Sequence, residues 1–68
     1  LTPEFVSSLQ RALKARGHYR GAISGYIDLR TRAAIRKYQA EQGLDSAILS
    51  LAAARKLGLI AYGDNEQS

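Results

Sequence analysis

The residues with the most chemical capability fall in one short stretch. Between positions 18 and 30 lie His18, Tyr19, Arg20, Ser24, Tyr26, Asp28 and Arg30, interleaved with Gly21 and Gly25. A guanidinium offers a planar fork of donors that matches a carboxylate, and a tyrosine offers an apolar face with a polar tip. Loops held by a rigid scaffold are frequent carriers of binding residues. The same stretch is poor in catalytic equipment. Only Glu4, Asp28, Glu41 and Asp45 supply carboxylates before position 60. Asp28 and Glu41 fall at opposite ends of one expected helix, so they form no close acid–base pair. Cysteine is absent and His18 is the lone histidine, which leaves no thiol nucleophile, no cysteine-ligated zinc and no histidine cluster. No glycine-rich phosphate loop ending in Lys-Ser or Lys-Thr is present. The residues point to holding a ligand, with no metal and no cofactor.

Charge narrows the ligand. The 68 residues carry a net +4, but Asp64 and Glu66 sit in the last few positions. Over residues 1–60, ten Lys and Arg face four acids, a net +6. Such a balance favours anionic partners: nucleic acid, an anionic surface or a polymer rich in carboxylates. It also fits a merely solvated basic face. Three helices with basic residues invite comparison with helix-turn-helix proteins. Yet ten residues, 18–27, separate the first two expected helices, whereas that motif turns in three or four. Nucleic acid is therefore not the expected partner. Apolar runs are only a few residues long, so no transmembrane segment and no signal peptide are expected. The chain opens on Leu1 rather than methionine, which reads as a piece of a longer protein.

Three helices must position these groups. Thr2-Pro3-Glu4 is a helix start, with Thr2 as cap, Pro3 at the first turn and Glu4 at the positive end of the dipole. Leu1 and Val6 are spaced as a hydrophobic staple. Phe5, Val6, Leu9, Ala12 and Leu13 recur at helical spacing up to a stop at Gly17. In the loop that follows, Tyr19 and Ile23 read as core anchors, Tyr19 with its hydroxyl at the surface. Tyr26 and Ile27 read as a short extended pair, and His18 as exposed at the helix end. Asp28 caps a second helix over 29–42, with Thr31, Ala34, Ile35 and Tyr38 inward and Arg30, Arg32, Arg36 and Lys37 outward. Thr31 is placed for a local hydrogen bond that fixes the loop, and Gln39 for a bond to loop backbone. Gly43 closes the helix and Leu44 folds back on Tyr38. Ser50 caps a third helix running to Leu57, and Gly58 ends it. The fold class is all-α, a compact three-helix bundle with a glycine-containing loop between the first two helices. Residues 1–60 form the domain and 61–68 a polar tail or linker.

The order of these residues resembles the peptidoglycan-binding domain, a small three-helix module attached to many bacterial cell-wall hydrolases and transpeptidases. The first matching block is Leu9-Gln10, Leu13, Gly17-His18-Tyr19 and Gly21. The second is Ile23-Ser24-Gly25, Thr31, Ala34, Tyr38-Gln39 and Gly43-Leu44. Leu49-Ser50 and Leu57-Gly58-Leu59 complete the series, which covers about residues 4–59. Three positions depart from the family pattern. Ser24 stands where an aspartate is usual, Asp28 where a second glycine is usual, and Ala47 where a glycine is common.

The resemblance implies a noncatalytic cell-wall module that targets an attached enzyme or envelope protein to murein. Its location would be periplasmic or extracellular, and its partner peptidoglycan, through the glycan strand or the stem peptide. Peptidoglycan offers sugar hydroxyls, amides and free carboxylates. On that reading Arg20 and Arg30 contact carboxylates and Tyr26 is an aromatic wall. Tyr19, Ser24 and Asp28 complete the expected ligand-binding set. A monomer is expected. The three departures motivate a runner-up: the same fold used as a protein-docking or propeptide-like domain without murein affinity, against another domain of the same chain or a secretion-machine partner.

Overall fold

The computed structural model describes residues 2–60. It contains α1 (Pro3–Ala15), α2 (Leu29–Ala40) and α3 (Leu51–Lys56), with no strand among the described residues. The all-α, three-helix expectation is met. The expected staple through Leu1 and the polar tail at 61–68 lie outside the described residues.

Each helix begins on a side-chain cap. Thr2 Oγ1 accepts from the Phe5 N–H at 3.0 Å, Asp28 Oδ1 from Thr31 at 2.8 Å and Ser50 Oγ from Ala53 at 3.1 Å. Such caps satisfy N–H groups that have no partner within the helix. Each helix also ends alike. The residue after the glycine donates five positions back: His18 to Leu13, Leu44 to Gln39 and Leu59 to Ala54, each at 2.9 Å. Gly17, Gly43 and Gly58 donate three positions back, each at 3.0 Å. This is the Schellman arrangement, and it needs the left-handed backbone that those glycines adopt at φ of 78–82°.

The second helix stops at Ala40 rather than at 42. Its last turn tightens to three-residue bonds from Glu41 to Tyr38 and Gln42 to Gln39. The core unites Leu9 and Leu13 of α1, Tyr19 of the first loop, Ala34, Ile35 and Tyr38 of α2, and Ala53 and Leu57 at the third helix. Ile23, Ile27 and Leu49 close it from the loops. Helices this short do not persist alone, so this shared core holds them.

Three local expectations change. His18 is not exposed: its side chain keeps only 9% of its accessible surface, because the ring packs edge-on to Tyr38 with centroids 5.7 Å apart. Its Nε2 lies 3.4 Å from Glu41 Oε1. Tyr26 and Ile27 form no strand; Ile27 turns to the core and Tyr26 stands 73% exposed. Leu44 makes the backbone bond of a helix stop but leaves its side chain 41% exposed rather than buried against Tyr38.

Candidate functional site

Among the described residues, three polar side chains are wholly buried: Gln10, Thr31 and Gln39. Two of them build the chemically rich loop. Gln10, on the inward face of α1, accepts from the Gly25 N–H through Oε1 at 3.0 Å. Its Nε2 lies 2.9 Å from the Tyr26 carbonyl, 2.9 Å from Thr31 Oγ1 and 3.1 Å from Ser24 Oγ. An amide nitrogen has two hydrogens, so the two short contacts take them. The Gly25 N–H fixes which end of the amide is oxygen. One side chain thereby ties α1, the loop and the start of α2 together.

The glycines of this loop have steric causes. Gly25 has φ of 81°, and a Cβ there would meet the Pro3 carbonyl oxygen and Ser7 Oγ at 3.3 Å. Gly21 lies under the Tyr19 ring; a Cβ would come within 2.6 Å of its hydroxyl. The Tyr19 hydroxyl is not at the surface. It donates to the Ala22 carbonyl, and the residue is only 3% exposed.

Asp28 and Thr31 form a closed unit. The Thr31 hydroxyl donates to Asp28 Oδ1 at 2.7 Å while its oxygen accepts from Gln10. That hydroxyl bond first, and the Thr31 N–H second, hold the Asp28 carboxyl below its ordinary value of 3.8. Asp28 has φ of −95°, an extended cap residue, so the left-handed backbone of the usual glycine is not needed here. Ser24 Oγ accepts from the Tyr26 N–H at 3.2 Å, the acceptor role an aspartate could fill there. The carboxylate of Asp28 and the hydroxyl of Ser24 are thus committed to the loop.

The remaining polar groups meet in a shallow groove of about 500 Å³ between this loop and α2. His18, Tyr19, Arg20, Arg30, Ala33 and Lys37 are among its walls. The groove brings together Tyr19, Arg20 and Arg30 of the six expected residues. Ser24, Tyr26 and Asp28 are not in its walls. Among the described residues, Arg20, Arg30 and Lys37 have no side-chain hydrogen bond or ion pair. Arg36, by contrast, pairs with Asp45 at 3.2 Å. Arg30 feels the Asp28 carboxylate through space, and no hydrogen bond or ion-pair contact ties any of the three, so they can receive an anion without breaking one. Lys37 was not singled out from sequence as a site residue, although it follows Arg30 by seven positions, two turns along one face of a helix. Gln10 gave no such signal, because a polar residue among apolar ones reads as an interruption of the buried face.

A second groove, of about 510 Å³, lies on the other side of α2, with Leu29, Arg32, Ala33, Lys37, Ala40 and Ala47 among its walls. No group of three or more His, Cys, Asp or Glu able to hold a metal occurs among the described residues.

The family model described as "Putative peptidoglycan binding domain" matches residues 2–47. The chain belongs to this family. The match takes in α1, the Gln10-tied loop and all of α2, and therefore every wall of the cationic groove. The third helix of this peptidoglycan-binding domain lies beyond the matched segment. No curated protein and no solved structure matches the chain.

Proposed function

We propose that this domain is a noncatalytic module that binds peptidoglycan and holds an attached enzyme or envelope protein against the cell wall, in the periplasm or outside the cell. Family membership supports the binding role, and the observation that carries the reading to this molecule is the groove where Arg20, Arg30 and Lys37 gather with no side-chain hydrogen bond or ion-pair contact among the described residues. Free carboxylates of peptidoglycan supply the missing charge. Weak binding suffices for such a module, because tethering raises the local concentration of whatever is linked to it. The test is co-sedimentation of the 68-residue chain with insoluble murein sacculi at low and physiological salt. Retention that weakens as salt rises is the expected result, since exposed charges are screened beyond about 8 Å at physiological ionic strength. A chain that stays in the supernatant at both salt levels refutes the proposal.

One observation favours the runner-up, a docking domain without murein affinity. Leu29 is 84% exposed and Ile48 82%. Large apolar side chains left open in this way mark contact sites in other proteins when they cluster. The same co-sedimentation separates the two readings.

A further inference from the structure

The two grooves beside α2 are not separate. Ala33 and Lys37 line both. Both residues are exposed, and at Ala33 only a methyl group rises from the helix. The surface there forms a low saddle, with the cationic groove on one side and the groove of Leu29, Ala40 and Ala47 on the other. An α-helix with its side chains is roughly 10–12 Å across, and less where the side chain is a methyl. A four-residue peptide in extended form reaches roughly 13–14 Å, enough to cross it.

We propose that a peptidoglycan stem peptide lies across α2 over Ala33, with a free carboxylate among Arg20, Arg30 and Lys37 and its alanine methyls against Leu29, Ala40 and Ala47. This rests on the peptidoglycan-binding reading and names the part of the polymer that is recognised. The charge argument selects the stem. Glycan strands whose muramic acid carboxyls are in amide linkage to the stems carry no free anion, so they offer nothing to the cations of the groove. Stem peptides carry free carboxylates, and a carboxylate is the anion whose geometry suits a guanidinium pair. The second groove fits the rest of the ligand. Its methyl-bearing walls are Leu29, Ala33, Ala40 and Ala47; the cations Arg32, Arg36 and Lys37 complete it, and of these Arg36 already pairs with Asp45.

The experiment measures retention on intact sacculi in the presence of two soluble competitors, a free stem tetrapeptide and a neutral N-acetylglucosamine oligomer that offers the glycan backbone without a carboxylate. Two variants accompany the unaltered chain. Ala33→Trp raises the saddle, and Lys37→Gln removes a shared cation; both positions are exposed, so helix content and melting temperature should stay unchanged. The expected result is displacement by the tetrapeptide, no displacement by the neutral oligomer, and about tenfold weaker binding of each variant to the sacculi. Displacement by the neutral oligomer and not by the tetrapeptide overturns the stem-peptide assignment while leaving wall binding standing. Wild-type affinity of both variants overturns the path across Ala33. No retention on intact sacculi overturns the underlying reading and this one with it. Should Ala33→Trp disturb the helix signal, Lys37→Gln and the two competitors still decide.

Discussion

Replacing Gln10 by leucine tests how much of this fold rests on one amide. The side chain is fully buried, so its partners cannot turn to bulk water without opening the loop. Those partners differ in what they lose. The Tyr26 carbonyl keeps a bond from the Asp28 N–H at 3.1 Å, and the Thr31 hydroxyl keeps Asp28. The Gly25 N–H, also buried, has the Gln10 oxygen as its hydrogen-bond acceptor. The substitution therefore leaves one orphaned donor, costing roughly 1–3 kcal/mol, and removes two further bonds worth about 1 kcal/mol each. The total is about 4 kcal/mol. Domains of this size have stabilities of only about 3–9 kcal/mol, so much of the margin goes. Urea unfolding followed by far-ultraviolet circular dichroism measures the change. Gln10→Leu should shift the midpoint far down or leave the chain unfolded in water. Gln39→Leu is the internal comparison, since Gln39 similarly ties the second loop, through Ser46 and Ile48 carbonyls and the Ser50 N–H. A Gln10→Leu protein within about 1 kcal/mol of the parent would refute the reasoning, because burial of apolar surface would then outweigh the lost bonds.

Two further outcomes follow from the same loop. The Asp28 cap should make stability depend on acid: a carboxyl whose folded-state pKa lies below its ordinary 3.8 contributes fully above that value and loses its contribution as pH falls through the lower one. Urea midpoints should therefore fall more steeply below about pH 4 for the parent than for Asp28→Asn, and equal slopes would contradict the assignment. Gly25→Ala places a side chain at φ of 81° and 3.3 Å from the Pro3 carbonyl oxygen, and should destabilise by about 1–2 kcal/mol in the same urea assay. No loss would mean that the loop relaxes elsewhere.

Features set by neighbours along the chain were legible in the sequence. Thr2, Asp28 and Ser50 cap where a short polar side chain precedes a helical run, and Gly17, Gly43 and Gly58 stop the helices. Both signals are local and span three to five residues. The inward faces of the first two helices were readable for the same reason. What was not legible depends on contacts between distant segments. The burial of His18 requires Tyr38 and Glu41, which come beside it only after the second helix folds back. The Gln10 network joins residues 9–21 positions apart, and a polar residue on an apolar stripe carries no sign of its partners. The end of α2 moved by two residues because a tightening last turn satisfies the same backbone groups as a full helical turn would. At the site, Arg20 and Arg30 were foreseen and meet in one groove. Asp28 and Ser24 were drawn into the loop instead, because a side chain close to an unsatisfied N–H is used locally.

Two glutamines clasp the two loops of a chain that has no cysteine. A clasp made of amide hydrogen bonds needs no oxidant to form and no isomerase to correct, and it fastens again whenever the helices meet. The closed state of either loop is therefore blind to the thiol balance of its surroundings. It answers instead to solutes that compete for amide hydrogen bonds.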